Sequence, residues 1–238
     1  MPKYSVIITS KECLDITWAC IESVKAHSKD YEIILVDNGS PKETQEKYKA
    51  LEYGNFTLKV YDEPMGWSRA ANIGMRIAKG EYIVVLNNDT VVVEDWLDIM
   101  SDCCNKFNAV VGLAGQNMII TEDNIVLTDY VGNIINREWR IPGKFPIVVD
   151  YVGGGCMMLT RRMLDDIGYL TEDIFFAQDV EYGIRTKEKG YKSMVVYVPG
   201  YCHYVSESYK NEMDLEKVRQ MTADCLKQIA IKVKGEKR

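Results

Sequence analysis

The chain has 238 residues, with 29 Lys+Arg against 35 Asp+Glu and a formal net charge of −6. With 47% hydrophobic and 27% charged residues it has ordinary globular composition, and it is long enough to need no disulfide or metal staple. The acidic balance argues against a nonspecific nucleic-acid binder.

Seven cysteines, at 13, 20, 103, 104, 156, 202 and 225, are odd in number and show no CxxC spacing. That is neither a disulfide framework nor a zinc ribbon, and it fits a reducing cytoplasm. The opening apolar stretch, Ser5-Val6-Ile7-Ile8-Thr9, is too short for a signal segment, and no run of 18 apolar residues occurs. The expectation is a soluble protein of the cytoplasm or of the cytoplasmic face of a membrane.

Tyr4–Thr9 is a short run rich in β-branched residues and predicts a buried parallel strand. Ile16–Val24 has helical spacing, and Glu32–Val36 predicts a second strand ending at Asp37-Asn38-Gly39-Ser40. Ser40 is a candidate N-cap, with Pro41 at the first helical position. Thr57–Tyr61 predicts a third strand, Trp67–Ala78 a helix ended by Gly80, and Glu81–Leu86 a fourth strand stopping at Asn87-Asn88-Asp89. Strands alternating with helices imply right-handed βαβ units and a parallel sheet, whose ligands sit beyond the carboxyl ends of the strands. Three polar clusters fall at those ends: Thr9-Ser10, Asp37-Asn38 and Asn87-Asn88-Asp89.

The second half is less regular. Ala109–Ala114 predicts a strand, Ile125–Ile135 a hairpin turning at Gly132-Asn133, and Arg137–Pro146 a polar loop carrying Trp139. Gly153-Gly154-Gly155 precedes the apolar Cys156–Leu159. Val180–Lys189 predicts a helix, Ser193–Val198 a strand, and Asp214–Val233 a terminal helix with one apolar stripe and a basic end. No repeat or linker marks a domain boundary.

Several constellations have two readings at this stage. Asp89 at a strand end suits a hard divalent cation shared with phosphate oxygens, and equally a capped turn. Asp37 and Asn38 suit a nucleobase or ribose, or a tight turn at Gly39. Arg69, Asn72 and Arg76 share one face of their helix, near a diphosphate or simply solvated. Asp179 and Glu181 flank a helix start, as a general base or as ordinary dipole partners. His203 follows a strand exit, where either a ligand or a hydrogen-bonding histidine is found. No GxGxxG and no GxxxxGK[ST] is present.

Taken together and in order, these segments resemble a family-2 glycosyltransferase. The matching residues are Ser5–Thr9, Glu32–Ser40, Gly66–Arg69, Asn72-Ile73-Gly74, Ala78–Ile83 and Leu86–Thr90, the last resembling the family's DxD motif. Gly153–Arg162 with Ile167–Leu170 resembles its acceptor-side segment, and Phe175–Glu181 its acidic catalytic motif. The resemblance implies the A-type glycosyltransferase fold: an α/β, Rossmann-like, mostly parallel sheet flanked by helices, with a smaller acceptor-side sheet and loop region. It implies one catalytic domain over 1–238, with a nucleotide-sugar half to about residue 115, an acceptor half over about 116–213 and a C-terminal helix over 214–238.

Carried over residue by residue, it implies an inverting transfer from a UDP- or dTDP-sugar to an acceptor hydroxyl. Asp179 would be the base. Thr9, Asp37, Asn38, Arg69, Asn72, Asn88 and Asp89 would line the donor pocket, and Gly154, Gly155 and Trp139 the acceptor side. Asp89 and His203 would hold Mn2+ or Mg2+ on the diphosphate. The acceptor would be a glycan, a lipid-linked molecule or a protein, with peripheral membrane contact in the lipid case. Asn87 stands where the family's motif has its first Asp, and Gln178 where it often has Glu. A catalytically silent binding protein on the same fold, or a sugar nucleotidyltransferase, are the alternatives. Retention of Asp89, Asp179 and His203 argues against the first, and the lack of a Gly-rich basic loop at Ser10–Leu14 against the second.

Overall fold

The computed structural model describes residues 1–51, 54–132, 145–204 and 215–235. The first half contains β1 (Tyr4–Ser10), α1 (Leu14–His27), β2 (Tyr31–Asn38), α2 (Lys42–Lys49), β3 (Phe56–Tyr61), α3 (Trp67–Ile77), β4 (Tyr82–Asn87), β5 (Thr90–Val91), α4 (Trp96–Phe107) and β6 (Ala109–Gly112). The second contains β7 (Ala114–Ile120), β8 (Ile125–Gly132), β9 (Ile147–Val149), β10 (Tyr151–Val152), β11 (Cys156–Thr160), α5 (Arg161–Ile167), α6 (Gln178–Glu188), β12 (Lys192–Val195), β13 (Cys202–His203) and α7 (Leu215–Gly235).

The main sheet has the order β3-β2-β1-β4-β11-β6-β12-β9. The first four strands are mutually parallel, as their near-continuous apolar runs require of strands covered on both faces. Side chains alternate between two cores. Val6, Ile8, Leu35 and Leu86 pack with Ile21 of α1 and Trp96 and Met100 of α4. Ile7, Ile34, Ile83 and Val85 pack with Ala71 and Met75 of α3 and Leu164 of α5. This is a three-layer α/β/α arrangement whose sheet turns one edge of strand ends toward a single opening.

The three-stranded sheet β10-β7-β8 stands beside it, and α7 packs there through Leu226, Ile229, Ala230 and Val233 against Ile125, Tyr151 and Ile184. Among the described residues no helix is long and apolar enough to cross a membrane.

The strand expected over Ala109–Ala114 and the cap expected at Ser40 need correction. The strand expected over Ala109–Ala114 divides at Leu113: β6 stays in the main sheet and β7 leaves for the small one. Of the hairpin expected over Ile125–Ile135, residues from 133 on lie outside the described ones; Ile125–Gly132 forms β8, which pairs with β7 across a turn at Thr121–Asn124, where the Thr121 N–H donates to Asn124 O at 2.8 Å. Gly132 sits at the opposite end of β8, against Ala114, where a Cβ would have no room. Ser40 does not cap α2; Pro41 holds the cap position, and the Ser40 hydroxyl donates to Asp37 and accepts from the Glu12 N–H. The main sheet is mostly parallel, as expected, with β11 entering it antiparallel between β4 and β6. Trp139 and Asp214 lie outside the described residues.

Candidate active site

A cavity of about 810 Å³ opens beyond the carboxyl ends of β1, β2 and β4. Of the residues expected there, Thr9, Asn38, Arg69, Asn88, Asp89, Gly154, Gly155, Asp179 and His203 line it. Asp37 and Asn72 do not. Asn72 is fully buried and committed: its amide donates to Leu170 O at 2.8 Å and Glu172 Oε1 at 2.9 Å, and accepts from the Leu170 N–H at 3.0 Å. Asp37 lies beneath the cavity floor, one oxygen taken by Ser40 and the other, Oδ2, buried with no hydrogen-bond partner among the described residues. Burial pushes its carboxyl upward from the ordinary Asp range.

Asp89 and His203 meet although 114 positions separate their numbers. β13 pairs antiparallel with β5, setting His203 opposite Thr90, and the Tyr204 N–H donates to Asp89 O at 2.8 Å. His203 Nε2 then lies 3.1 Å from Asp89 Oδ1. That oxygen is buried yet forms no hydrogen bond among the described residues. A buried carboxylate oxygen left without a donor is costly unless something positive completes it, so the pair fits a divalent cation. Among the described residues no third His, Cys, Asp or Glu joins them. Magnesium and manganese commonly take one or two protein ligands and fill the rest with phosphate oxygens and water. Asn87 is not a ligand here; its Oδ1 accepts the Trp67 indole N–H at 3.1 Å.

Asp179 sits in the first turn of α6, where Ala177 caps the helix with a left-handed backbone at φ +61°. Its Oδ1 accepts the Val180 N–H at 2.9 Å and its Oδ2 the Gly154 N–H at 3.2 Å. Burial pushes the carboxyl upward, and those two donors only partly offset it. A carboxylate base with a raised pKa is better matched to taking a proton near neutral pH. Glu181 points elsewhere. It is buried and bound by Arg185 at 2.7 and 2.9 Å and by Thr171 at 2.8 Å, while Arg185 also donates to Ile167 O and Tyr169 O.

The polar stripe of α3 has a partner that the sequence reading missed. Glu172 accepts from Arg69 Nε at 3.0 Å, Asn72 Nδ2 at 2.9 Å and Arg76 at 3.3 Å, and these donors hold its carboxyl below the usual range. Three donors on one helical face was the available signal, since such a face calls for an anion. Lys11, Trp67, Phe175 and Phe176 also line the cavity and were not assigned a part in it. Lys11 and Arg69 bring positive charge to the side nearest β1 and α3.

The sheet, its strand-end cavity and the small second sheet define a class. Two solved structures share the arrangement: GalNAc-T7 with UDP, GalNAc and Mn2+ (TM-score 0.68, 18% identity, covering 86% of this chain and 44% of that one) and S. aureus TarS 1-349 (TM-score 0.63, 15% identity, covering 94% and 70%). The fold is the A-type glycosyltransferase fold. The sequence also matches the family described as Glycosyl transferase family 2 over residues 5–168, and the chain belongs to that family. Relatives include the O-antigen biosynthesis protein RfbC of Myxococcus xanthus, 25% identical and covering 87% of this chain. Glycosyltransferase AglE of Haloferax volcanii is 22% identical and covers 85%. The poly-beta-1,6-N-acetyl-D-glucosamine synthase of Staphylococcus aureus (strain COL) is 24% identical and covers 76%. The chain spans only 18% of the RfbC protein's length, 67% of AglE and 44% of the synthase.

Proposed function

We propose that the chain is an inverting glycosyltransferase that moves a sugar from a nucleoside diphosphate, UDP or dTDP, to an acceptor hydroxyl. The observation that carries this reading is the convergence of Asp89, His203 and Asp179 on one strand-end cavity. Asp179 takes the proton of the acceptor hydroxyl, and the oxygen attacks the anomeric carbon on the face opposite the leaving diphosphate. Arg69 and Lys11 supply positive charge toward that diphosphate. Asp89 and His203 would hold a divalent cation, Mn2+ or Mg2+, which when bound neutralises charge developing on the leaving group. Thr9, Asn38 and Asn88 line the nucleotide side, and Asp37, buried beneath them, holds that floor through the hydrogen bond it accepts from Ser40.

The relatives' names point to glycan assembly, so a glycan acceptor, free or lipid-linked, is the favoured class. The cysteine usage supports work in the cytoplasm or at the cytoplasmic face of a membrane. Calorimetry with UDP, dTDP and GDP, each with Mn2+ and with EDTA, tests the donor half. Mn2+-dependent binding of UDP or dTDP is expected, and equal binding of all three in EDTA would reject it. A donor-hydrolysis screen followed by an acceptor screen tests catalysis; tight binding without turnover would make the chain a silent sugar-nucleotide binder.

A further inference from the structure

Gly153–Gly155 carry the chain from β10 into β11. Because β11 runs antiparallel to β4, with Cys156 opposite Leu86, they arrive at the cavity end of the sheet. Two of the three are packed against flat rings. A Cβ on Gly155 would lie 2.5 Å from Cε1 and 2.8 Å from Nδ1 of His203, and one on Gly154 would lie 2.7 Å from Cη2 of Trp67. Neither residue has a positive φ, so no turn demands glycine here. What the place demands is the absence of a side chain.

The backbone of the same residues is committed as well. Gly155 O accepts the Asn87 N–H at 2.9 Å, and the Gly154 N–H donates to Asp179 Oδ2 at 3.2 Å. Gly155 therefore touches both arms of the Asp89–His203 pair: the strand end leading to the carboxylate, and the imidazole itself. β13, which delivers the imidazole, is only two residues long and fixes its backbone by a single short ladder. The ring needs a further stop.

We infer that Gly155 is a positioning residue: its bare Cα is the surface on which the His203 ring rests, and its tie to Asn87 holds that surface in register with Asp89. A methyl group at 155 must displace the ring, and with it Nε2 from its place 3.1 Å from Asp89 Oδ1. Metal sites are sensitive to such displacement, and loss of an orienting contact typically weakens metal affinity about 10–100-fold. The inference rests on the reading of Asp89 and His203 as cation ligands.

The test uses MnCl2 as the probe, titrated calorimetrically in the presence of UDP. Gly155→Ala should weaken Mn2+ binding by about 10–100-fold. Gly153→Ala, whose Cβ would meet nothing closer than 3.8 Å, should leave it unchanged. If the methyl acts through the ring, Gly155→Ala should add nothing in a His203→Ala background; additive losses would overturn the inference.

A second readout needs no metal. The chain has two histidines, so a His27→Asn background leaves one imidazole signal in proton–nitrogen correlation spectra, that of His203. Gly155→Ala should shift it, and an unmoved signal would overturn the inference. Should Gly155→Ala fail to fold, folding recovered in Gly155→Ala/His203→Ala supports the contact, and an unfolded double variant rejects it. Wild-type protein that binds no Mn2+ would reject the cation reading itself, before any variant is made.

Discussion

Residues 4–87 and residues 109–203 build one sheet by different rules. In the first stretch β1, β2, β3 and β4 lie beside one another in parallel, joined by helices, and β1, β2 and β4 end at the cavity with polar residues. In the second, β11 reverses direction between β4 and β6, β9 closes the far edge, and β13 leaves the sheet to pair with β5. The first region is a rigid floor whose groups are placed by strand register. The second delivers Gly155, Asp179 and His203 from three separate segments, each held by side-chain and backbone ties. On the proposed function the donor contacts come mostly from the first region and the base from the second, and the Asp89–His203 pair is where the two meet.

The largest expected effect tests that separation at the base. Asp179→Asn keeps the shape of the side chain and removes its ability to take a proton. Transfer should fall about 10²–10⁴-fold, while calorimetric affinity for the nucleotide stays within a few-fold. Nucleotide binding that fell along with transfer would mean that the two regions are not independent.

Next in size is the tie that seats α6. Arg185 links the buried Glu181 to the carbonyls of Ile167 and Tyr169, fixing the segment that runs on to Glu172. Arg185→Met leaves Glu181 buried without its cationic partner, with only the Thr171 hydroxyl still donating to it. Because the arginine is partly exposed, the cost should sit near the low end for a broken buried pair, about 3 kcal/mol. For a chain of this size that lowers Tm by roughly 6–12 °C, measured by calorimetry or circular dichroism. An unchanged Tm would show that the pair contributes nothing to holding α6.

The two regions also differ in how much of them was legible in the sequence. Apolar runs such as Val6-Ile7-Ile8 and Ile83-Val84-Val85 announce buried strands, and the polar residues ending them announce the cavity, because both signals are local. The β7–β8 turn at Thr121–Asn124 is harder to read, because Gly132 is the stronger local turn signal, and that glycine also answers to a close approach by Ala114, which no local pattern reveals. Asn72 was placed on the correct helical face but not at its buried partners Leu170 and Glu172, about a hundred positions away. The meeting of Asp89 with His203 rests on a two-residue strand pair, too short to leave any periodicity.

Asp89→Ala tests the comparison just beyond the end of β4, where the two regions meet through His203. Removing a cation ligand should weaken nucleotide binding in Mn2+ by at least about 10-fold, while binding in EDTA stays as it was. Stability should change little: the buried oxygen forms no hydrogen bond among the described residues, and the substitution also removes its 3.1 Å contact with His203 Nε2. Paired calorimetric titrations and a thermal melt check both halves; unchanged affinity in Mn2+ would make Asp89 a turn residue only.

The smallest effect compares one carboxylate from each region. Burial raises the pKa of both Asp37, in β2, and Asp179, in α6. For Asp179 the sign in activity follows from its part as a base: kcat/KM falls as pH drops through its raised pKa. The acid limb should therefore lie above the ordinary Asp value of about 3.9. In stability the sign is opposite to that of a salt-bridged acid. Between the unfolded pKa and the raised folded one, the native state keeps a proton that the unfolded chain has lost. Stability then declines as pH rises through that window, by at most about 1.4 kcal/mol per pH unit for one group, and levels off above it. Asp179→Asn removes this contribution and leaves that of Asp37 in place. Urea melts of both proteins between about pH 4 and 7 should thus show a shallower decline in the variant. Identical slopes would mean that Asp179 ionises in the ordinary range, and the acid limb of the wild-type rate profile should then sit there too.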